Sequence, residues 1–234
     1  MFLNFNKKKH KNVFLYLWIH RYGESVYGFV DTTSSEWAVT RVIRGGHQAV
    51  GGIATLGQDV FVSRYKSQQV QVYSAVTLAL QRHLTVPDLG PYSYDMDTCA
   101  AVNCLLLTDY YNDSVHRVQL SGNNAVTKWS VARRPVGLSV SNINHVLVVS
   151  EGDRKLQIFT TSGNLLQNIQ LASDITSPNH AVQLSNDALV LCDAGHRHRV
   201  CLITTDGRIL SSCTGTCTRL STCTQPDIKD YYMQ

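Results

Sequence analysis

The sequence is short of charge, and what it holds is unevenly placed. Only 16% of its 234 residues are Asp, Glu, Lys or Arg, and the formal net charge is +4. Lys7, Lys8, Lys9 and Lys11 account for that excess, which leaves a formally neutral body behind a basic tail. Phosphate affinity comes from cations collected on one surface, so this distribution is a weak nucleic-acid signal. Aromatic residues make up 9% of the chain, and no run of about 18 apolar residues occurs, so no membrane span is expected. Val13 to Ile19 follows the lysines as a signal peptide's apolar segment would, but no small-residue cleavage site comes before His20. The sequence contains no GxSxG, HExxH, P-loop or paired CxxC. Seven cysteines, an odd number spread from Cys99 to Cys223 without a small-domain framework, point to reduced thiols and a cytoplasmic location. Cys213, Cys217 and Cys223 lack the paired spacing of a zinc site, so neither metal nor cofactor is expected.

What the chain does have is a regular unit between Arg134 and Leu171. Gly137 to Val140 is a short apolar segment, and Ser141, Asn142 and Asn144 supply turn-forming side chains after it. Val146 to Val149 is a second, aliphatic run, ended by Glu151, Gly152, Asp153, Arg154 and Lys155. Leu156, Ile158 and Phe159 mark a third strand, Gly163 sits in the next turn, and Leu165 to Leu171 is a fourth. Four antiparallel strands in roughly 40 residues is the size of one propeller blade.

Copies of this unit lie on both sides. The end of strand two reads Phe61-Val62-Ser63-Arg64, Leu106-Leu107-Thr108-Asp109, Val148-Val149-Ser150-Glu151 and Val190-Leu191-Cys192-Asp193, with fourth positions 45, 42 and 42 residues apart by subtraction. Strand three repeats as Val70-Gln71-Val72, Val118-Gln119-Leu120, Leu156-Gln157-Ile158 and Val200-Cys201-Leu202. Strand one is looser: Gly51 to Ala54, Tyr92 to Asp95, Val136 to Ser139 and Asn179 to Val182, with Pro91, Pro135 and Pro178 before three of the copies. The pattern of Pro135, Gly137, Leu138, Val149, Ser150, Glu151, Lys155, Leu156, Gln157, Ile158 and Gly163 resembles the NHL repeat. So does that of Pro178, Leu191, Asp193, Arg199, Val200, Thr205, Asp206 and Gly207. The resemblance covers about residues 49–210 and implies an all-β, TolB-like propeller of four-stranded antiparallel blades.

The expected organisation is a basic disordered tail at 1–12, a partial blade at 13–45, four blades at 46–213 and a Thr/Cys-rich disordered tail at 214–234. Strands are expected over Val13 to Ile19, Val26 to Val30 and Trp37 to Ile43. Four blades and a partial one fall short of six, so an incomplete ring is the expectation.

The resemblance implies a non-enzymatic module that recognises a protein partner, similar to the substrate-recognition propellers of tripartite-motif ubiquitin ligases. No small-molecule substrate is expected. RNA is the alternative partner, because cations recur in the loops joining strands two and three and in one blade connection. These are Arg64, Lys66, Arg117, Arg133, Arg134, Arg154, Lys155, His196, Arg197, His198 and Arg199, with Tyr65, Tyr110 and Tyr111 available to stack on bases. A metal-dependent propeller hydrolase or lyase is the second alternative. It would draw on inner residues such as His47, Asp95, Asp97 and His180, but Gly52, Ser93 and Gly137 stand at the positions equivalent to His180.

Overall fold

A computed structural model describes residues 14–21, 24–31, 38–44, 48–184, 187–195 and 198–214. The tail expected over 1–12 lies outside these residues, as do residues 215–234, His47, His196 and Arg197. All described regular structure is β. A three-stranded antiparallel sheet comes first, from β1 (Phe14–Arg21), β2 (Glu24–Asp31) and β3 (Ala38–Arg44).

Four four-stranded antiparallel sheets follow, each a meander in chain order. The first blade holds β4 (Val50–Leu56), β5 (Asp59–Arg64), β6 (Gln69–Ser74) and β7 (Leu80–Thr85). The second holds β8 (Met96–Cys99), β9 (Cys104–Asp109), β10 (Ser114–Gln119) and β11 (Val126–Ser130). The third holds β12 (Pro135–Val140), β13 (His145–Ser150), β14 (Lys155–Thr160) and β15 (Leu165–Gln170). The fourth holds β16 (Pro178–Gln183), β17 (Leu189–Asp193), β18 (Arg199–Ile203) and β19 (Ile209–Thr214). The first strands β4, β8, β12 and β16 contact one another in sequence, as the inner strands of propeller blades do.

Apolar residues are buried between successive blades, so both faces of the second and third blades are covered. Ala54, Phe61 and Val72 of the first blade pack on Met96, Leu105 and Leu107 of the second. Cys104, Leu106 and Val115 face Leu138, Val146, Val148 and Phe159 of the third. Leu147, Val149 and Ile158 meet Leu189, Leu191 and Ile203 of the fourth. A strand buried on both faces reads as an unbroken apolar run instead of an alternating one, as β9 and β13 do.

That double burial hides the register, and here the structure corrects the sequence spacing. Arg64, Asp109, Ser150 and Asp193 are the last residues of β5, β9, β13 and β17. The equivalent of Asp109 in the third blade is therefore Ser150, one residue before the expected Glu151. Cluster membership agrees, since Leu105 and Leu107 face the preceding blade, as do Val146 and Val148. A one-residue shift exchanges the two faces of a strand, and an all-apolar run carries no signal against it.

The equivalent positions share one task although their side chains differ. Arg64 Nη1 donates to Gln48 O (3.1 Å), Asp109 Oδ2 accepts from Gly90 N (2.9 Å), Ser150 Oγ donates to Ala132 O (3.4 Å), and Asp193 Oδ1 accepts from Ser177 N (2.9 Å). Each ties strand two to the connection that leads into its own blade.

Candidate functional site

In a four-strand meander the loops from strand two to three and from strand four to the next blade emerge at the same end. At this end two groups of side chains converge. One lies on the inner strands, and the other forms a platform of tyrosines over them.

The inner group is centred on Asp95, just before β8 and 3% exposed. Its Oδ1 accepts from Met96 N (2.9 Å), and its Oδ2 accepts from Leu138 N of the third blade (2.9 Å). The same Oδ2 lies 2.9 Å from His180 Nδ1 of the fourth blade. Asp97, also buried, accepts from Thr98 N (2.7 Å) and from Val140 N (2.8 Å). Two carboxylates thus satisfy backbone donors of β12 that have no strand neighbour on the channel side. Gly137 makes the span from Asp95 to His180 feasible, because a Cβ there would run into the Asn179 carbonyl. Register shifts at Pro135/Gly137 and Pro178/His180 put Gly137 and His180 at equivalent places in their blades. Burial works to lower the His180 pKa, but the charge and hydrogen bond of Asp95, with the charge of Asp97, outweigh it and raise the value above normal.

The platform comprises Tyr65, Tyr92, Tyr94, Tyr110 and Tyr111. Tyr65 contacts Tyr92 and Tyr94 with centroids 5.0 and 5.4 Å apart. Tyr92 and Tyr94 are near-parallel at 18° and 6.0 Å. Tyr111 meets Tyr92 at 5.4 Å, Tyr110 meets Tyr94 at 4.9 Å, and Tyr110 meets Tyr111 at 5.2 Å. Tilted and edge-on contacts of this kind are each worth about 0.5–1.5 kcal/mol beyond buried area. The Tyr110 hydroxyl donates to Glu151, while Arg134 lies over the Tyr110 ring (5.6 Å) and 3.7 Å from Glu151. Burial, with smaller contributions from Tyr94 and Tyr92, pushes the Tyr65 pKa up to about 12, so this phenol stays neutral in ordinary buffers. Tyr65, Tyr110 and Tyr111 stood out in the sequence, but Tyr92 and Tyr94 did not. Their signal was available as an alternating Tyr-Ser-Tyr, which places both rings on one side of an extended segment.

The cations expected to form a basic arc are mostly engaged within the protein. Arg64 is 7% exposed and donates to Gln71 Oε1 (2.6 Å) as well as Gln48 O. Arg199 is 3% exposed and held by Asp174 (2.9 Å) and Asp193 (3.3 Å). Arg117 sits on β10 and donates to Gln119 Oε1 (2.8 Å). Arg154 donates to Ser173 O (3.3 Å). Lys66, Arg133, Lys155 and His198 are exposed. Carboxylates are interleaved throughout: Asp88, Asp113, Glu151, Asp153 and Asp174 occupy the same loops. A crevice of about 560 Å³ lies elsewhere, between the outer strands β7 and β11, where diverging blades leave a groove. Among the described residues, no group of three or more His, Cys, Asp or Glu is placed to hold a metal ion.

No family model and no curated protein matches the chain. Solved structures do. Virginiamycin B lyase from Staphylococcus aureus is similar over 90% of this chain and 69% of its own, at 10% identity and a TM-score of 0.65. A streptogramin B lyase is similar over 72% of this chain at 13% identity and a TM-score of 0.58, and the chain spans only 55% of that protein. Glutaminyl cyclase from Myxococcus xanthus gives 77% and 80% coverage at 10% identity and a TM-score of 0.52. The expectation of a non-enzymatic chain is corrected by these neighbours, because the same scaffold carries a lyase and a cyclase. Inner propeller strands bring together residues as far apart as Asp95 and His180, so the lack of a short motif such as GxSxG or HExxH does not exclude catalysis. The fold itself is a β-propeller assembled from four-stranded antiparallel blades.

Proposed function

We propose that this chain is a recognition propeller that binds a partner protein through its tyrosine-lined end, in the manner of the NHL-like propellers it resembles. The observation that carries this reading is the continuous cluster of five tyrosine rings, with Tyr111 at its outer edge and 60% exposed. Tyrosine gives a large rigid contact area with a polar tip, and it is enriched at interface hot spots. The mixed charge of the surrounding loops favours a protein over RNA, whose phosphates need an excess of unpaired cations. A photocrosslinking residue at position 111, compared with one at exposed Leu210 on the fourth blade, tests it. Adducts formed from position 111 and absent from position 210 are expected. No adduct from 111, or equal labelling from both, refutes the reading.

A second reading is catalytic and rests on His180. Asp95 fixes its Nδ1, so Nε2 is the nitrogen left to take a proton from a molecule in the channel, the arrangement of an oriented general base. The test is an assay with ester and lactone substrates, using His180→Gln as the matched control. Turnover that survives the substitution, or is absent from the unaltered protein, overturns it.

A further inference from the structure

The crevice between the outer strands of the first two blades ends on a buried group that the fold leaves unsatisfied. We propose that this crevice binds an uncharged sugar or similar polyol, one of whose hydroxyls donates to Nδ1 of His116. His116 lies on β10, is fully buried, and lines the crevice of about 560 Å³. Its Nε2 is 3.1 Å from Asp109 Oδ2 on the neighbouring inner strand β9. Burial opposes ionisation of Asp109, but hydrogen bonds from His116, Asn112 and Gly90 N outweigh it, so the carboxylate accepts and Nε2 carries the proton. The two nitrogens of an imidazole point to nearly opposite sides of the ring, so Nδ1 points outward, toward β11 and the crevice. Among the described residues it has no hydrogen-bond partner. In the neutral ring it is a bare acceptor, and a buried acceptor left unpaired is costly.

The equivalent place in the third blade is self-contained. Gln157 stands there, and its register partner on β15 is Asn168, as Lys128 on β11 is that of His116. Gln157 gives Nε2 to Asn168 Oδ1 (3.0 Å) and takes Ala132 N on Oε1 (2.5 Å), so both ends are satisfied within the protein. Lys128 is instead turned to Asp88 at the exposed rim (3.7 Å) and leaves Nδ1 of His116 unpaired. The missing donor therefore falls to a ligand, and the lining selects its class. Asp88 and Lys128 cancel each other, which leaves little preference for an ion. Asn123, Asn124 and Thr127 bring amides and a hydroxyl that both donate and accept, as sugar hydroxyls do. Leu84 and Val126 add an apolar wall for the C–H face of a sugar ring, and the volume falls within the range of about 300–1,000 Å³ usual for small-molecule sites.

NMR of the imidazole nitrogens in the full chain tests this at about pH 8, where ordinary imidazoles are neutral. Glucose, galactose, N-acetylglucosamine, maltose and, as a charged control, glycine are added in turn. A saturable shift of the His116 Nδ1 signal with at least one sugar, and none with glycine, is expected. Asn123→Ala and Thr127→Ala, both at exposed positions that leave the core untouched, should each weaken that binding about fivefold while the melting temperature stays the same. An Nδ1 signal that no sugar moves, as a buried water partner alone would give, overturns the proposal. So does a shift produced by glycine and by none of the sugars, or sugar binding that both variants retain in full.

Discussion

Replacing Asp95 by Asn keeps the side-chain shape and removes the charge at the centre of the inner network. Asp95 serves Met96 N through one oxygen and Leu138 N with His180 through the other. A single amide oxygen can satisfy only one side, so the new NH2 group must face a buried donor. An unsatisfied buried N–H costs about 1–3 kcal/mol, and the lost charge-assisted bond to His180 adds about 1 kcal/mol after discounting for the partial exposure of the imidazole. The substitution should therefore destabilise the protein by about 2–4 kcal/mol in urea melts. The loss should also depend on pH. Because the folded His180 pKa is raised, its contribution is fully present below about pH 6.5 and disappears as pH rises through the higher folded value. The deficit of the variant should accordingly be larger near pH 5.5 than near pH 9. An NMR titration of the His180 ring should show its pKa falling in the variant. A deficit below about 0.5 kcal/mol, or an unchanged His180 pKa, would refute the account of the network.

Asp109 offers a test in acid. Burial pushes its pKa up, but hydrogen bonds from His116, Asn112 and Gly90 N outweigh that and lower it, so its contribution holds above about pH 3.9 and is lost as pH falls through the folded value. Asp109→Asn should flatten the acid limb of the thermal stability profile, and identical limbs would count against this. Ser150→Ala should cost about 1 kcal/mol, while Glu151→Ala, at an exposed position, should stay within about 0.5 kcal/mol. The opposite order in chemical denaturation would restore the register read from spacing alone. Gly137→Ala should lower the thermal midpoint by the equivalent of about 2 kcal/mol or more, since the added methyl meets the Asn179 carbonyl. An unaltered midpoint would mean that β12 and β16 are not in close approach.

The four-strand unit and its repetition were legible in the residue pattern. Turn residues such as Asn144, Gly163 and Gly207 have positive φ where the turns were expected, and the aliphatic runs between them became strands. These features are local: a turn needs particular backbone angles, and a strand needs side chains suited to a pleated, buried surface. Register and side-chain pairing across blades came from the packing of the blades. Val146 to Val149 is buried on both sides, so its composition could not show that Ser150, and not Glu151, ends the strand. Nor could spacing show that Arg64 and Arg199 turn inward to acceptors while Tyr92 and Tyr94 turn toward Tyr65, Tyr110 and Tyr111. Those outcomes depend on groups brought together from different blades. Asp95, Leu138 and His180 meet only because three inner strands lie side by side, a proximity that no single segment encodes.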